Sequence, residues 1–215
     1  MSSAEVDAHA LAAGAVQGNL PVLHFADAWT FANWLAANGA KAAGAWLMFA
    51  KKGAAAISVT RPESIDAALC EGWIDGQAAV WNESYFLVRF TPRRPRGNWS
   101  QVNRALAVEL IELGRMRPRG LAEVDAAKMD GRWDAAYPPS STAEAPPDLQ
   151  AAIDASPSAA ARYAAMNRSE RYALILSLLN ARQPATRVRR IAALCVPAGE
   201  EDPHGPNHGS RAQMT

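Results

Sequence analysis

Four prolines within ten residues, Pro138, Pro139, Pro146 and Pro147, with Ser140-Ser141-Thr142 among them, restrict this chain more than any other feature. A proline ring fixes φ and removes a backbone donor, so neither a helix nor an inner strand can run through such a segment. Before it, short aromatic and β-branched runs alternate with helical periodicity; after it, every segment reads helical. The fold class is therefore α+β: a small antiparallel sheet of about four strands packed with helices, followed by a C-terminal helical appendage. The expected boundaries are a disordered tail at 1–20, an α+β core at 21–137, a Pro-rich linker at 138–147, a helical region at 148–196 and a second disordered tail at 197–215. Both tails lack a sustained apolar period.

Local signals place the elements. Asp27 is a plausible N-cap for a helix carrying Trp29, Phe31, Trp34 and Leu35 that stops at Asn38-Gly39. Trp46 to Ala50 and Ile57 to Thr60 read as short strands, and Thr60-Arg-Pro-Glu63 has the spacing of a capping box for a helix ending at Gly72. Trp73 to Trp81 and Tyr85 to Phe90, joined by Asn82-Glu83-Ser84, read as a hairpin. Strand parity puts Phe86, Val88 and Phe90 on one face and Tyr85, Leu87 and Arg89 on the other. Asn98 with Gln101 is a second capping-box candidate, Pro118 opens a further helix, and Gly131 ends it. In the C-terminal region Ser156-Pro157 starts a helix that Asn167 ends, and Gln183-Pro184 starts the last one.

The formal net charge of +1 excludes the global basicity of a dedicated nucleic-acid binder, so any anionic partner must be met by a local patch. Two patches qualify. Between Glu83 and Glu109 there are five arginines (Arg89, Arg93, Arg94, Arg96, Arg104) and no acid; between Glu170 and Glu200 the same holds for Arg171, Arg182, Arg187, Arg189 and Arg190. In the second group the arginines from Arg182 to Arg190 avoid the apolar stripe of the last helix and read as a solvated face, with weak nucleic-acid binding across both patches as an alternative. In the first, Arg93, Arg94 and Arg96 lie in a Pro-punctuated loop before a helix start, where guanidinium forks favour an anion. Trp73 and Trp99 could wall such a site, with Asp75 and Asn103 adding polar contacts. The same residues also have a structural reading: Asp75 and Arg89 as a cross-strand ion pair, the loop arginines as pins, and the tryptophans as core.

Catalytic signals are sparse. His9, His204 and His208 fall in the tails and leave His24 as the sole ordered histidine; Cys70 is the weak nucleophile candidate, and Asp75, Asp130 and Asp134 are the carboxylates available for acid/base work. No cofactor motif and no metal-ligand spacing is read, and Cys70 and Cys195 are expected to be buried free thiols. No membrane span is expected. The N-terminus carries Glu5, Asp7 and His9 where a signal peptide would be basic, so the expected location is cytoplasmic.

Gly-Trp-Ile-Asp-Gly at 72–76, Phe-Thr-Pro-Arg-Arg-Pro at 90–95 and Asp-Gly-Arg-Trp at 130–133 make the chain resemble the YdeI/OmpD-associated family of bacterial proteins, over about residues 22–195. The resemblance implies a stress or protection protein, named for bacteriocin protection and linked to resistance against cationic antimicrobial peptides. One departure, Arg96-Gly97-Asn98-Trp99-Ser100 where the family has Pro-Arg/Lys-Ser-Trp-Ser, implies a changed loop and cap. Two functional readings follow. One is a non-catalytic module binding an anionic ligand or protein partner through Trp73, Asp75, Arg93, Arg94, Arg96, Trp99 and Asn103. The other is an enzyme acting on a small anion with Asp75 or Asp134 as acid/base.

Overall fold

The computed structural model describes residues 14–181 and 183–196. The expected tail at 197–215, and residues 1–13 of the expected N-terminal tail, lie outside the described residues. The chain divides into two compact units, Met1–Ala136 and Tyr137–Thr215.

The first unit is α+β and is built on a mixed sheet of five strands: β1 (Val16–Gln17), β2 (Leu20–Leu23), β3 (Ala45–Ala50), β4 (Trp73–Val80) and β5 (Tyr85–Pro92), in the order β1-β2-β3-β5-β4. Within residues 14–20, expected in a tail, Val16 and Gln17 thus pair antiparallel with Pro21 and Leu20 at the start of β2. The sheet is also not wholly antiparallel, because β2 runs parallel to β3, pairing Val22 with Trp46. Parallel neighbours need a crossover, and α1 (Ala28–Asn38) supplies it. The segment from Ile57 to Thr60 is not a strand. Its polar groups are met singly instead: Val59 N–H donates to Phe25 O at 2.8 Å, and Ser58 Oγ accepts from Ala50 N at 2.9 Å.

Helix starts follow local chemistry. Asp27 Oδ1 accepts from Thr30 N at 2.8 Å to open α1. Thr60 and Glu63 form a full capping box at the head of α2 (Arg61–Cys70), with Thr60 N–H donating to Glu63 Oε2 at 3.0 Å. Asn82 Oδ1 accepts from both Ser84 N and Tyr85 N, which turns the β4–β5 hairpin. The next helix, α3 (Gln101–Glu112), is capped by Ser100 and not by Asn98: Ser100 Oγ accepts from Asn103 N at 3.1 Å. Pro118 opens α4 (Pro118–Met129).

The parity reading holds along β5. Val88 and Phe90 pack with Leu47, Phe49, Phe31, Leu35 and Trp73, while Tyr85 and Leu87 pack with Val22, Trp46 and Met48 on the opposite face. A third cluster joins α2 to α3 and α4 through Leu69, Leu110 and Val124, with Trp99 and Trp133. Each fully buried side chain of this size contributes about 1.5–3 kcal/mol relative to exposure.

The second unit is helical: α5 (Pro147–Ala155), α6 (Pro157–Ala165), α7 (Arg168–Leu179) and α8 (Pro184–Cys195), around Leu149, Ala159, Ile175, Leu178 and Leu194. Ser156 caps α6. Asn167 starts a helix and does not end one, forming a capping box with Glu170 at the head of α7. Of the arginines expected on a solvated face, Arg189 is exposed and Arg182 lies outside the described residues, while Arg187 and Arg190 hold a helix end, as do two other arginines of this unit. Arg171 of α7 donates to Tyr163 O and Ala164 O in the last turn of α6. Arg187 and Arg190 of α8 donate to Leu178 O and Ser177 O in the last turn of α7. Arg162 of α6 donates to Ala193 O and Val196 O at the end of α8. Carbonyls at a helix C-terminus lack intrahelical partners and carry the negative end of the dipole, so a guanidinium there answers both.

Candidate functional site

The loop from Arg93 to Trp99 is fixed at several points. Arg93 N–H donates to Gly72 O at 2.9 Å, tying the loop to the turn before β4, where Gly72 has a φ of 72° that favours glycine. The Arg93 guanidinium lies on the Trp99 ring, 3.6 Å from its centroid. A desolvated cation–π contact of this kind stabilises by about 2 kcal/mol. Gly97 N–H donates to Arg94 O at 2.9 Å, closing a turn, and Arg132 Nη1 donates to Gly97 O at 2.7 Å. Arg132 is itself held by Asp130, whose carboxyl lies below its ordinary range chiefly because Arg132 hydrogen-bonds to it, with a smaller pull from Arg96. Arg96 takes a left-handed φ of 61°, the single non-glycine residue among the described ones to do so. Arg94 and Arg96 are exposed.

The seven residues singled out in the sequence do not share one cavity. Trp73 is 1% exposed, packs edge-on against Trp34 and donates from Nε1 to Gly39 O at 3.1 Å. Trp99 is 2% exposed in a different cluster, against Trp133 at 5.0 Å, and its Nε1–H meets no acceptor among the described residues. Arg93 is buried between loop and ring, and Asn103 is half-buried in the first turn of α3. Asp75 pairs with Arg61 Nη2 at 2.9 Å and stands opposite Phe90, so the expected Asp75–Arg89 cross-strand pair is absent; Arg89 stands opposite Trp46. The exposed members, Arg94 and Arg96, lie together within one short loop.

Among the catalytic candidates, His24 is buried and donates from Nε2 to Ile57 O at 2.7 Å. Cys70 is buried and its thiol is pushed up, first by burial, so it stays protonated near neutrality. Asp134 is exposed in the turn after α4. Cys195 is a free thiol but half-buried, not buried as expected.

Sequence reasoning missed a buried ion pair. Glu71, 8% exposed, receives Arg119 Nη2 at 2.7 Å and Nε at 3.1 Å, and the same guanidinium donates to Leu35 O. Pairing over 48 positions carries no local signal; a charged residue at the end of an otherwise apolar Ala67–Cys70 run was the available hint. Beside it lies a cavity of about 400 Å³ bordered by Trp29, Ala32, Cys70, Glu71, Arg115 and Arg117. A second cavity, about 410 Å³, is bordered by Ser140, Ser141, Tyr163, Arg168, Arg171 and Tyr172 of the helical unit. Neither is lined by any of the seven sequence candidates. Among the described residues no helix is long and apolar enough to cross a membrane.

With this geometry in place, comparison with known families divides the chain in two. Residues 142–198 match the family described as "Bacteriocin-protection, YdeI or OmpD-Associated". The chain carries a YdeI/OmpD-associated domain. Residues 23–123 match a separate family described as "Domain of unknown function (DUF8412)". The YdeI/OmpD-associated match therefore covers the helical unit, and the words at 72–76, 90–95 and 130–133 lie outside it, the first two inside the other match. The resemblance named the right family over a narrower extent than 22–195. No curated protein and no solved structure matches the chain.

Proposed function

We propose that this is a bacterial protection factor that acts by binding, with Arg94 and Arg96 as its contact to an anionic partner. The observation that carries this reading is the clamped loop. Arg93 on Trp99, Gly97 on Arg94 O and Arg132 on Gly97 O hold the backbone in one shape, so two exposed guanidinium groups are presented with little ordering cost on association. Trp73, Arg93 and Trp99 then serve as the support of the contact surface and not as the surface itself. The description of the matched family supplies the physiological setting, protection against bacteriocins.

Binding is favoured over acid/base catalysis because Asp75 is engaged by Arg61 and His24 by Ile57 O, Cys70 is a protonated thiol, and Asp134 is exposed in a turn and borders neither cavity. The proposal includes a cytoplasmic site of action, which suits two free cysteines. The test is survival of a bacteriocin or cationic-peptide challenge by cells producing the wild-type chain or the Arg94→Ala/Arg96→Ala variant. Protection by the former and its loss in the latter, at equal protein level, is the expected outcome. Equal survival overturns the reading, and cell fractionation decides the location.

A further inference from the structure

The helix-end contacts of the second unit account for Arg162, Arg171, Arg187 and Arg190, but not for Arg168. Arg168 is the first residue of α7, at the end of the helix where the dipole is positive and a cation is disfavoured. Its Nε donates to Ser140 O at 3.2 Å, which orients the guanidinium plane and leaves both terminal amino groups for another acceptor. Arg171, one turn on, spends Nε and Nη2 on the end of α6 and keeps Nη1. Among the described residues neither guanidinium meets a carboxylate. Glu170, the acid between them, is turned back onto Asn167 N–H at 2.7 Å.

Both arginines border the cavity of about 410 Å³, together with Ser140, Ser141 and Tyr172. That volume is in the range of small-molecule sites and exceeds what a bare inorganic ion fills. The polar side of the cavity offers guanidinium and hydroxyl donors, the set that matches a tetrahedral oxyanion. Tyr163 and Met166 also line the cavity, with the Arg171 guanidinium over the Tyr163 ring at 5.1 Å.

We propose that this cavity binds a small, soluble, phosphate-bearing organic molecule, with the phosphate on Arg168, Arg171 and the Ser140 and Ser141 hydroxyls and the organic part against Tyr163 and Met166. The site shares no residue with the Arg94/Arg96 loop and belongs to the other unit, so either proposal can fail alone. It gives the YdeI/OmpD-associated domain a ligand chemistry of its own.

The experiment is an amide NMR titration of the full chain with inorganic phosphate and with glycerol 3-phosphate at constant ionic strength, set beside sedimentation with phosphatidic-acid vesicles. Saturable shifts centred on residues 140–143 and 163–172 are expected, with glycerol 3-phosphate binding more tightly than phosphate. Arg168→Gln should weaken both by about tenfold or more, as loss of charged hydrogen bonds does, with unchanged thermal unfolding, and Arg168→Lys should fall between. If Arg168→Gln does not fold, Ser141→Ala is read in the same way. The proposal is overturned by no saturable shift, by shifts that Arg168→Gln leaves intact, by shifts centred on 94–100, or by binding to vesicles without binding to either soluble anion.

Discussion

In the α+β unit Arg93 lies flat on Trp99 and Arg119 is locked against buried Glu71, whereas in the helical unit Arg162, Arg171, Arg187 and Arg190 reach over the ends of helices to backbone oxygens. The difference follows from what each core offers. All seven tryptophans fall between residues 29 and 133, so the first unit has broad rings on which a guanidinium can be desolvated at low cost. The second has a core of Leu, Ile and Ala around Leu149, Ile175 and Leu178 and no tryptophan, its one guanidinium–ring contact among the described residues being Arg171 over Tyr163 at 5.1 Å. Its arginines are useful where carbonyls are short of donors. The same residue type therefore serves mainly packing in one unit and mainly helix ends in the other, although Arg119 also meets Leu35 O in the last turn of α1 and Arg171 also lies over Tyr163, and arginine density alone points to a site in neither.

The contrast can be broken most forcefully at Trp73. Trp73→Ala should cost the α+β unit about 3–5 kcal/mol, the range for a large buried side chain. Because tryptophan fluorescence reports that unit and circular dichroism sees both, the fluorescence transition should fall while the helical part of the dichroism stays. A joint shift would show that the two units unfold as one. Gly120→Ala comes next. An added Cβ would sit 2.4 Å from Cys70 O and 2.6 Å from Leu69 O, where α4 meets the end of α2, so a loss of about 1–3 kcal/mol in the same transition is expected.

The helical unit should respond more gently. Arg162→Ala and Arg187→Ala should each lower its stability by about 1 kcal/mol in denaturant melts. The pair together should cost less than the sum, since loss of either contact already loosens the helix through which the other acts. Strict additivity would mean that these contacts act independently. The smallest effect is acid-dependent. Hydrogen bonds from Arg187 hold the Asp148 carboxyl below its ordinary range. A depressed folded value stabilises above the unfolded carboxylate pKa of about 3.9 and is lost as pH falls through the folded one. Asp148→Asn should lower neutral stability slightly, as befits an exposed pair, and flatten the acid limb of the helical transition by the same small amount, so that wild type and variant converge in acid.

What was legible in the sequence was short-range. Asp27 with Thr30, Thr60 with Glu63, Pro118, and Ser156 with Pro157 each settle a helix start within four residues, and all four do so in the structure. At α3 the sequence reading placed the cap at Asn98, and the structure places it two residues on, at Ser100. Asn167 was misread because a polar residue between two helices can close one or open the next. Strands β1 and β2 were invisible for another reason. Val16–Gln17 and Leu20–Leu23 are too short to show alternation, and the partner of Val22 is Trp46. At the candidate site, the sequence showed that arginine and tryptophan lie close along the chain. It could not show that Trp73 and Trp99 turn into separate cores, nor that Glu71 waits for Arg119.

The crossed arginine contacts of the helical unit form a closed circuit: α7 secures α6, α8 secures α7, and α6 secures α8. A whole helix that detaches in such an arrangement withdraws a donor from the next, and the loss travels round to where it began. Amide exchange in the last turns of all three helices should then show one shared opening rate, which makes the unit a latch that is either shut or undone. Clipping the chain just before α8 would undo two of the three closures at a stroke.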